Sequence, residues 1–200
     1  MRRIIINEFM SLDGVIQGPG GPDEDTTGGF ELGGWVAKKS DDITDQVLTE
    51  IMGQSYDLLL GRFTYQIWEP YWPNQTGPIA EKFNQVNKYV ATRTLKEASW
   101  QNTILLNSDT IKQIKALKAS DGIDLHMWGS SDFIQSLLRE GLIDQMNIFI
   151  HPVILGKGKK LFQEGAVPGN FKLTKHAVST TGVILTSYVS DGALQLGVSG

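Results

Sequence analysis

The order of apolar and polar positions predicts a chain in which strands alternate with helices from residue 3 to residue 140. Short apolar runs predict strands at 3–10, 56–60, 88–91, 103–106 and 124–128. Apolar residues spaced three and four apart predict helices at 42–53, 79–86, 109–118 and 132–140. Because strands that are separated by helices usually pair in parallel, this part of the chain indicates an α/β fold.

The pattern changes after residue 145, where helices no longer separate the apolar stretches. Long β segments are predicted at 146–155, 171–179 and 183–190. Thr181-Gly182 predicts a hairpin turn between the last two, so these strands should pair antiparallel. The sequence therefore predicts a mixed sheet of about eight strands with an antiparallel C-terminal hairpin. We expect one domain over residues 1–190 and a frayed tail over 191–200.

Residues 18–34 show neither the strand nor the helix periodicity. This stretch holds seven glycines and two prolines. Because so few of its side chains are apolar, it cannot pack as a regular element, and the sequence predicts a mobile loop. Loops of this kind often close over an active site, and we expect this one to be a lid that is ordered mainly by bound substrate.

Composition narrows the classes of function. A formal net charge of −4 gives no basic surface for nucleic acid, and the absence of cysteine excludes disulfides and thiol chemistry. The N-terminus lacks a secretory signal and no window has the apolar length of a membrane span, so a cytoplasmic protein is expected. His126, His151 and His176 lack the spacing of metal ligands, so no metal site is predicted.

Glycine, hydroxyl and arginine residues follow the ends of two predicted strands. Gly61 would let a ligand approach the backbone, while Arg62 and Thr64 could hold phosphate oxygens. Thr92 and Arg93 repeat the combination of a hydroxyl and an arginine after the next strand. The structural alternative involves no ligand: Gly61 only ends a strand, Thr64 caps a helix, and Thr92 and Arg93 lie in a solvated loop.

A third strand end carries Gly129, Ser130 and Ser131, directly before a predicted helix. In sheets with parallel strands, ligands bind outside the carboxyl ends of the strands, near helix N-termini that attract anions. A plain N-cap formed by Ser130 or Ser131 is the structural alternative. Since parallel strands end at the same edge, the three strand ends together indicate a site for a phosphate-bearing ligand.

Several motifs are similar to those of a known family. Three of them are Ser11-Leu12-Asp13-Gly14, Leu60-Gly61-Arg62-Phe63-Thr64-Tyr65 and Trp128-Gly129-Ser130-Ser131. The most specific one is Pro152-Val153-Ile154-Leu155-Gly156-Lys157-Gly158-Lys159-Lys160-Leu161-Phe162. Over residues 3–190 the chain resembles the dihydrofolate-reductase superfamily. Within it, the chain is most similar to the branch of the reductase domain of the bifunctional riboflavin-biosynthesis deaminase-reductase.

The resemblance implies a three-layer, dihydrofolate-reductase-like fold and an NADPH-dependent oxidoreductase, in which the cofactor extends across the strand ends. The implied cofactor contacts are Phe9 and Ile16 at the nicotinamide, Gly61, Arg62 and Thr64 at phosphates, Thr92 and Arg93 near the adenosine, and Gly129, Ser130 and Ser131 at the pyrophosphate. Asp13 is a candidate proton donor or substrate contact, and an Asp-Gly turn is its structural alternative.

The resemblance also implies a substrate class and an assembly. The expected function is reduction of a small heterocycle such as a pyrimidine or a pterin, as in the 5-amino-6-(5-phosphoribosylamino)uracil reductase of riboflavin biosynthesis. Met127-Trp128 stand where reductases of that pathway typically carry an acidic residue, which leaves the substrate open. Members of this branch are commonly homodimers, so we expect a homodimer. The alternative function is a nucleotide-binding module without turnover.

Overall fold

Eight paired strands define the frame of the molecule. The computed structural model describes residues 1–198. Its strands are β1 (Ile4–Ser11), β2 (Tyr56–Gly61), β3 (Lys88–Ala91), β4 (Thr103–Leu106), β5 (Asp124–Met127), β6 (Gln145–His151), β7 (Phe171–Val178) and β8 (Ile184–Ser190). They form one sheet in the order β4-β3-β2-β5-β1-β6-β8-β7, parallel from β4 to β6 and antiparallel from β6 through β8 to β7. The predicted mixed sheet with its C-terminal hairpin is confirmed.

Five α-helices accompany the strands. They are α1 (Asp42–Met52), α2 (Arg62–Trp68), α3 (Pro78–Gln85), α4 (Thr110–Ala119) and α5 (Ser131–Arg139). Four of them match the predicted helices. The fifth, α2, has only seven residues, which is too short for the apolar spacing to mark it as a separate element. Within residues 1–198, none of the helices has the length and apolar character needed to cross a bilayer.

Apolar side chains pack on both faces of the sheet. Leu59 of β2 points to one face, and Leu58 and Leu60 point to the other, because side chains alternate along a strand. On the first face, Ile114 of α4 and Ile134 of α5 pack against the strands. On the second face, the apolar layer includes Ile51 of α1, Tyr65 of α2 and Phe83 of α3. The predicted three-layer arrangement is therefore confirmed.

A buried ion pair joins the strands at their amino ends. The Arg2 guanidinium contacts the Asp57 carboxylate, and the two side chains are only 4% and 7% exposed. Arg2 Nε also donates a hydrogen bond to the Ile123 carbonyl at 2.5 Å. The Asp57 carboxylate accepts further bonds from the backbone and side-chain N–H groups of Asn87, at 3.2 and 3.0 Å. These contacts connect the beginnings of β1, β2, β3 and β5.

The glycine-rich loop at 18–34 is packed, which corrects the prediction of an unpacked segment. Phe30 is 2% exposed and belongs to the core. The Gln17 side chain donates hydrogen bonds to the carbonyl oxygens of Asp25 and Thr27, at 3.1 and 2.9 Å. One aromatic side chain and one buried amide thus order a stretch that has no periodic apolar pattern. Its role as a lid stays a prediction.

The C-terminal part of the sheet has an open edge at β7. Leu173, Val178 and Ile184 on this hairpin are exposed. The predicted homodimer and the predicted division into a domain and a tail stay predictions. Residues 191–198 form no helix or strand. The rest of the expected tail, 199–200, lies outside the described residues.

We predict that Asp57→Ala lowers the free energy of unfolding by about 3–5 kcal/mol, because it leaves the buried Arg2 guanidinium without a counter-charge. Asp124→Ala is the matched control, since its partner Arg3 has a side chain that is 56% exposed. Exposed pairs contribute only about 0–1 kcal/mol. Urea unfolding at pH 7 measures both variants, and equal losses would show that the buried pair has no special role.

Candidate functional site

A cavity of about 540 Å³ opens at the edge of the sheet where the parallel strands end. Phe9 of β1, Arg62 at the start of α2 and Gly129 between β5 and α5 line it, and the 18–34 loop closes one side. Small-molecule sites typically measure about 300–1,000 Å³, and in such sheets they lie outside the carboxyl ends of the strands. The cavity is therefore the candidate functional site.

The structure brings most of the expected cofactor contacts together here. Seven of them line the cavity, namely Phe9, Ile16, Arg62, Thr64, Gly129, Ser130 and Ser131. Gly61 lies directly behind this wall, since a Cβ on it would stand 2.3 Å from Ser130 Oγ. The sequence resemblance thus singles out residues that share one cavity, although they come from three separate parts of the chain.

The beginnings of α2 and α5 meet in an unusually close contact. Thr64 Oγ1 and Ser130 Oγ lie 2.8 Å apart and share a hydrogen bond. A Cβ on Gly129 would lie 2.9 Å from Thr64 Oγ1, and the φ of Gly129 is +76°. Glycine is required here both by the space and by the backbone conformation. The contact places two hydroxyls and the start of a helix on the same wall of the cavity.

The N-terminus of α5 faces this wall without a side-chain cap. Within residues 1–198, the Ser130 side chain makes no capping hydrogen bond to α5. The Ser131 hydroxyl donates to the carbonyl of Lys160 at 2.9 Å and accepts from Gln163 at 2.6 Å. The simple N-cap that we considered as the structural alternative is therefore absent. Uncapped N–H groups at a helix start are suited to an anion.

Two cations contribute to the same cavity. The exposed Arg62 side chain donates one hydrogen bond to Gln66 Oε1 at 2.8 Å. Lys159 Nζ lies 2.6 Å from Asp25 Oδ2 in the 18–34 loop and 3.9 Å from the centre of the Phe63 ring. The Lys159 charge is thus largely engaged by its partner, whereas the guanidinium of Arg62 has further donors for a phosphate.

Thr92 and Arg93 lie outside the cavity. They follow β3, which pairs directly with β2, so they stand at the same edge of the sheet. Thr92 Oγ1 accepts hydrogen bonds from the backbone N–H groups of Thr94 and Leu95, at 3.2 and 3.0 Å, and so stabilises its own turn. Arg93 is exposed. The structure therefore places this pair one strand beyond the cavity wall, next to the strand that leads to Arg62.

Asp13 also lies outside the cavity, where it braces a turn. Its carboxylate accepts hydrogen bonds from the Ser11 hydroxyl at 2.6 Å and from the backbone N–H groups of Leu155 and Gly156, at 3.1 and 2.8 Å. The Ser11 hydroxyl above all lowers the pKa of Asp13 to about 2. An ionised carboxylate that already accepts these bonds has no proton to give, so the geometry matches the structural alternative.

Sequence analysis missed Glu8, the acid at the base of the cavity. Its side chain lines the cavity, although the residue is only 5% exposed. Glu8 Oε1 accepts a hydrogen bond from the backbone N–H of Gly129. Burial raises the pKa of Glu8 to about 8, and the charge of Glu24 adds to the rise, against the opposing effect of the Gly129 bond. The available signal was one acidic residue within the apolar strand at 3–10.

The two buried histidines pack against aromatic side chains. Burial lowers the pKa of His126 and of His151 to about 4, so both are neutral at pH 7. His126 stacks on Tyr56 with a 4.1 Å separation of ring centres, and His151 packs edge-on against Phe9 and Trp35. Among residues 1–198, no group of three or more His, Cys, Asp or Glu side chains could hold a metal ion.

Comparison with known proteins identifies relatives of the whole chain. An uncharacterized protein of Bacillus subtilis, YyaP, is 29% identical over 196 residues, which cover 96% of each chain. A crystal structure from Shewanella sp. PV-4, of a protein named for riboflavin biosynthesis, has a TM-score of 0.73 at 22% identity, with 94% of this chain and 99% of that one covered. Dihydrofolate reductase from Enterococcus faecalis, complexed with NADP(H), has a TM-score of 0.58 at 11% identity and covers 94% and 96% of the two chains.

These similarities agree with the architecture described above. The structural matches show the dihydrofolate-reductase-like fold, with its eight-stranded mixed sheet and antiparallel C-terminal strands. The family pattern of the RibD C-terminal domain matches residues 2–185, which is nearly the whole chain. The chain therefore belongs to the RibD C-terminal domain family.

Proposed function

We propose that this protein is an NADPH-dependent reductase of a small heterocyclic substrate. The observation that carries the proposal is the cavity where the starts of α2 and α5 meet, with phosphate-binding groups at one end and an apolar end beyond them. Membership of a reductase-like family supports the same reaction class. The expected substrate resembles a pyrimidine, a pterin or a related ring.

The residues of this wall fit the phosphates of an extended dinucleotide. Gly129 leaves room for a close approach to the backbone, and the uncapped start of α5 offers N–H donors. Thr64 and Ser130 add hydroxyls, and Arg62 can form a charge-assisted fork on a phosphate. Bound NADPH would supply the hydride, so the task of the chain is to position the two reactants and to exclude water.

We assign the proton that accompanies the hydride to Glu8. Reduction of a C=N or C=C bond consumes one hydride and one proton, and a carboxyl with a pKa of about 8 still holds its proton at pH 7. Because Oε1 accepts the Gly129 N–H, Oε2 is the oxygen that carries the proton. Asp13, the candidate from the sequence, is ionised and lies outside the cavity.

NADPH oxidation tests the proposal against a nucleotide-binding module without turnover. We expect absorbance at the reduced nicotinamide band to fall when the protein meets at least one member of a panel of pterins, pyrimidines and flavins. NADPH binding by calorimetry without oxidation for any member would favour the binding module. A wild-type protein that binds no NADPH at all would reject both.

Arg62 and Arg93 are predicted to select NADPH over NADH. The two arginines follow neighbouring strands, where an extended cofactor would place its adenosine end. A charge-assisted bond to the 2′-phosphate contributes about 1.5–3 kcal/mol, so Arg62→Ala or Arg93→Ala should weaken NADPH about tenfold to a hundredfold. NADH should lose much less. Calorimetric titration of both cofactors measures this, with Arg139→Ala at the far end of α5 as the control. Equal losses for NADPH and NADH would place the contacts on the pyrophosphate instead.

Glu8→Gln should remove a pH dependence of stability. An acid whose pKa rises from 4.5 when unfolded to about 8 when folded takes up a proton on folding between these values. Wild-type stability then falls as pH rises from about 4.5 to about 8, by up to about 1.4 kcal/mol per pH unit. The free energy of unfolding of the variant, relative to that of the wild type, should therefore rise with pH between about 4.5 and about 8. Above that range the difference should stay constant. Urea unfolding at pH 5, 7 and 9 measures the gain.

Turnover provides the second readout for Glu8. We expect the wild-type kcat to fall above pH 8 as the acid ionises, and Glu8→Gln to lower kcat by about 10²–10⁴ with a flatter profile. Glu81→Gln, on the exposed side of α3, serves as the control for both measurements. A Glu8→Gln enzyme with wild-type kcat and a wild-type pH profile would overturn the assignment.

A further inference from the structure

The cavity has an apolar end that the proposed cofactor contacts do not use. We call this end the apolar compartment, and it consists of Leu48, Met52, Ile67, Trp68, Trp72 and Ile79. All of these except Trp68 are only half-buried, although their side chains are large and apolar. Below them Trp68 stacks on Phe83 with ring centres 4.8 Å apart. Large apolar side chains that stay accessible on one concave surface indicate a ligand site.

All charged side chains of the cavity lie outside the apolar compartment. They are Glu8, Glu24, Asp25, Arg62, Asp132 and Lys159. Lys159 is paired with Asp25, and Arg62 stands at the start of α2 beside the proposed phosphate site. A phosphate group in the compartment would therefore lose its hydration without gaining a cation as a partner. Burial of an unpaired charge in apolar surroundings is strongly unfavourable.

We propose that the substrate of this protein carries an uncharged aryl group that fills the apolar compartment, and that this compartment does not accept a phosphate group. The flat walls formed by Trp68 and Trp72 favour a ring, because aromatic side chains pack against rings in stacked or edge-on arrangements. This inference rests on the proposed function for the identity of the ligand as a substrate. It predicts that a phosphoribosyl group would not bind in the apolar compartment.

A binding experiment tests the compartment without cofactor or turnover. N-phenyl-1-naphthylamine, an uncharged dye that fluoresces in apolar sites, should bind the full chain at one site. We expect 1-naphthol to displace the dye, and 1-naphthyl phosphate, which has the same ring, to require at least about ten times the concentration. Failure of the dye to bind, or equal displacement by the two compounds, would overturn the proposal.

Variants locate the bound dye. Met52→Lys introduces a cation into the compartment, so it should weaken the dye at least about tenfold and reverse the preference between 1-naphthol and 1-naphthyl phosphate. Met52→Leu keeps the apolar character and should retain both properties. Ile79→Lys on α3 repeats the test from a second wall, in case Met52→Lys alters the fold. Unfolding curves check that each variant is folded.

Ile154→Lys is the matched control outside the compartment, because Ile154 is 74% exposed and does not line the cavity. It should leave dye binding and the preference unchanged. Dye binding that both lysine variants leave unaffected would place the dye elsewhere and overturn the proposal. None of these readouts uses NADPH. A protein that prefers 1-naphthol but binds no NADPH would therefore refute the proposed function and still support an aryl site in the apolar compartment.

Discussion

The close approach of α2 and α5 at their first residues is the constraint on which the rest of the site depends. Side chains at Gly61 or Gly129 would collide with Ser130 or Thr64, so neither position can carry a Cβ without displacing the wall. Because β2 and β5 are adjacent and parallel, their carboxyl ends bring these helix starts together. The same close contact allows the hydrogen bond between the Thr64 and Ser130 hydroxyls, and it lets the Gly129 N–H donate a hydrogen bond to the Glu8 carboxyl.

Buried acidic side chains have partners at one end of the sheet and almost none at the other. At the amino ends, Asp57 has a guanidinium and an amide as partners, which compensates its burial and ties the strands together. At the carboxyl ends, Glu8 accepts a single backbone hydrogen bond and remains protonated. A buried acid with a strongly shifted pKa in a cavity weakens the fold and is typical of a functional group. The uncompensated acid therefore lies at the end of the sheet where we propose that the chemistry takes place.

The sequence predicted the sheet because apolar runs separated by helices indicate parallel strands. The loss of helices after residue 145 indicates the antiparallel strands at the C-terminus. Apolar periodicity did not mark α2, which is too short for a periodic signal, although a helix start at Thr64 was among the alternatives. The sequence missed the packing of Phe30, since one aromatic residue among glycines leaves no pattern. Motif resemblance selected seven residues of the cavity wall. The sequence did not predict a role for Glu8, because that role depends on burial of the side chain. Burial depends on neighbours in the three-dimensional structure, which the sequence pattern does not show.

The two halves of the cavity are constrained differently. The polar half follows from strand ends that the parallel pairing fixes, whereas the apolar half consists of side chains on α1, α2 and α3 and the turn after α2. An uncharged ligand also suits Glu8. A substrate phosphate, added to those of the proposed cofactor, would raise the pKa of this acid further, because a nearby negative charge disfavours its ionisation, and would make it a weaker proton donor. The proposed neutrality of the substrate and the proposed proton delivery by Glu8 therefore favour each other.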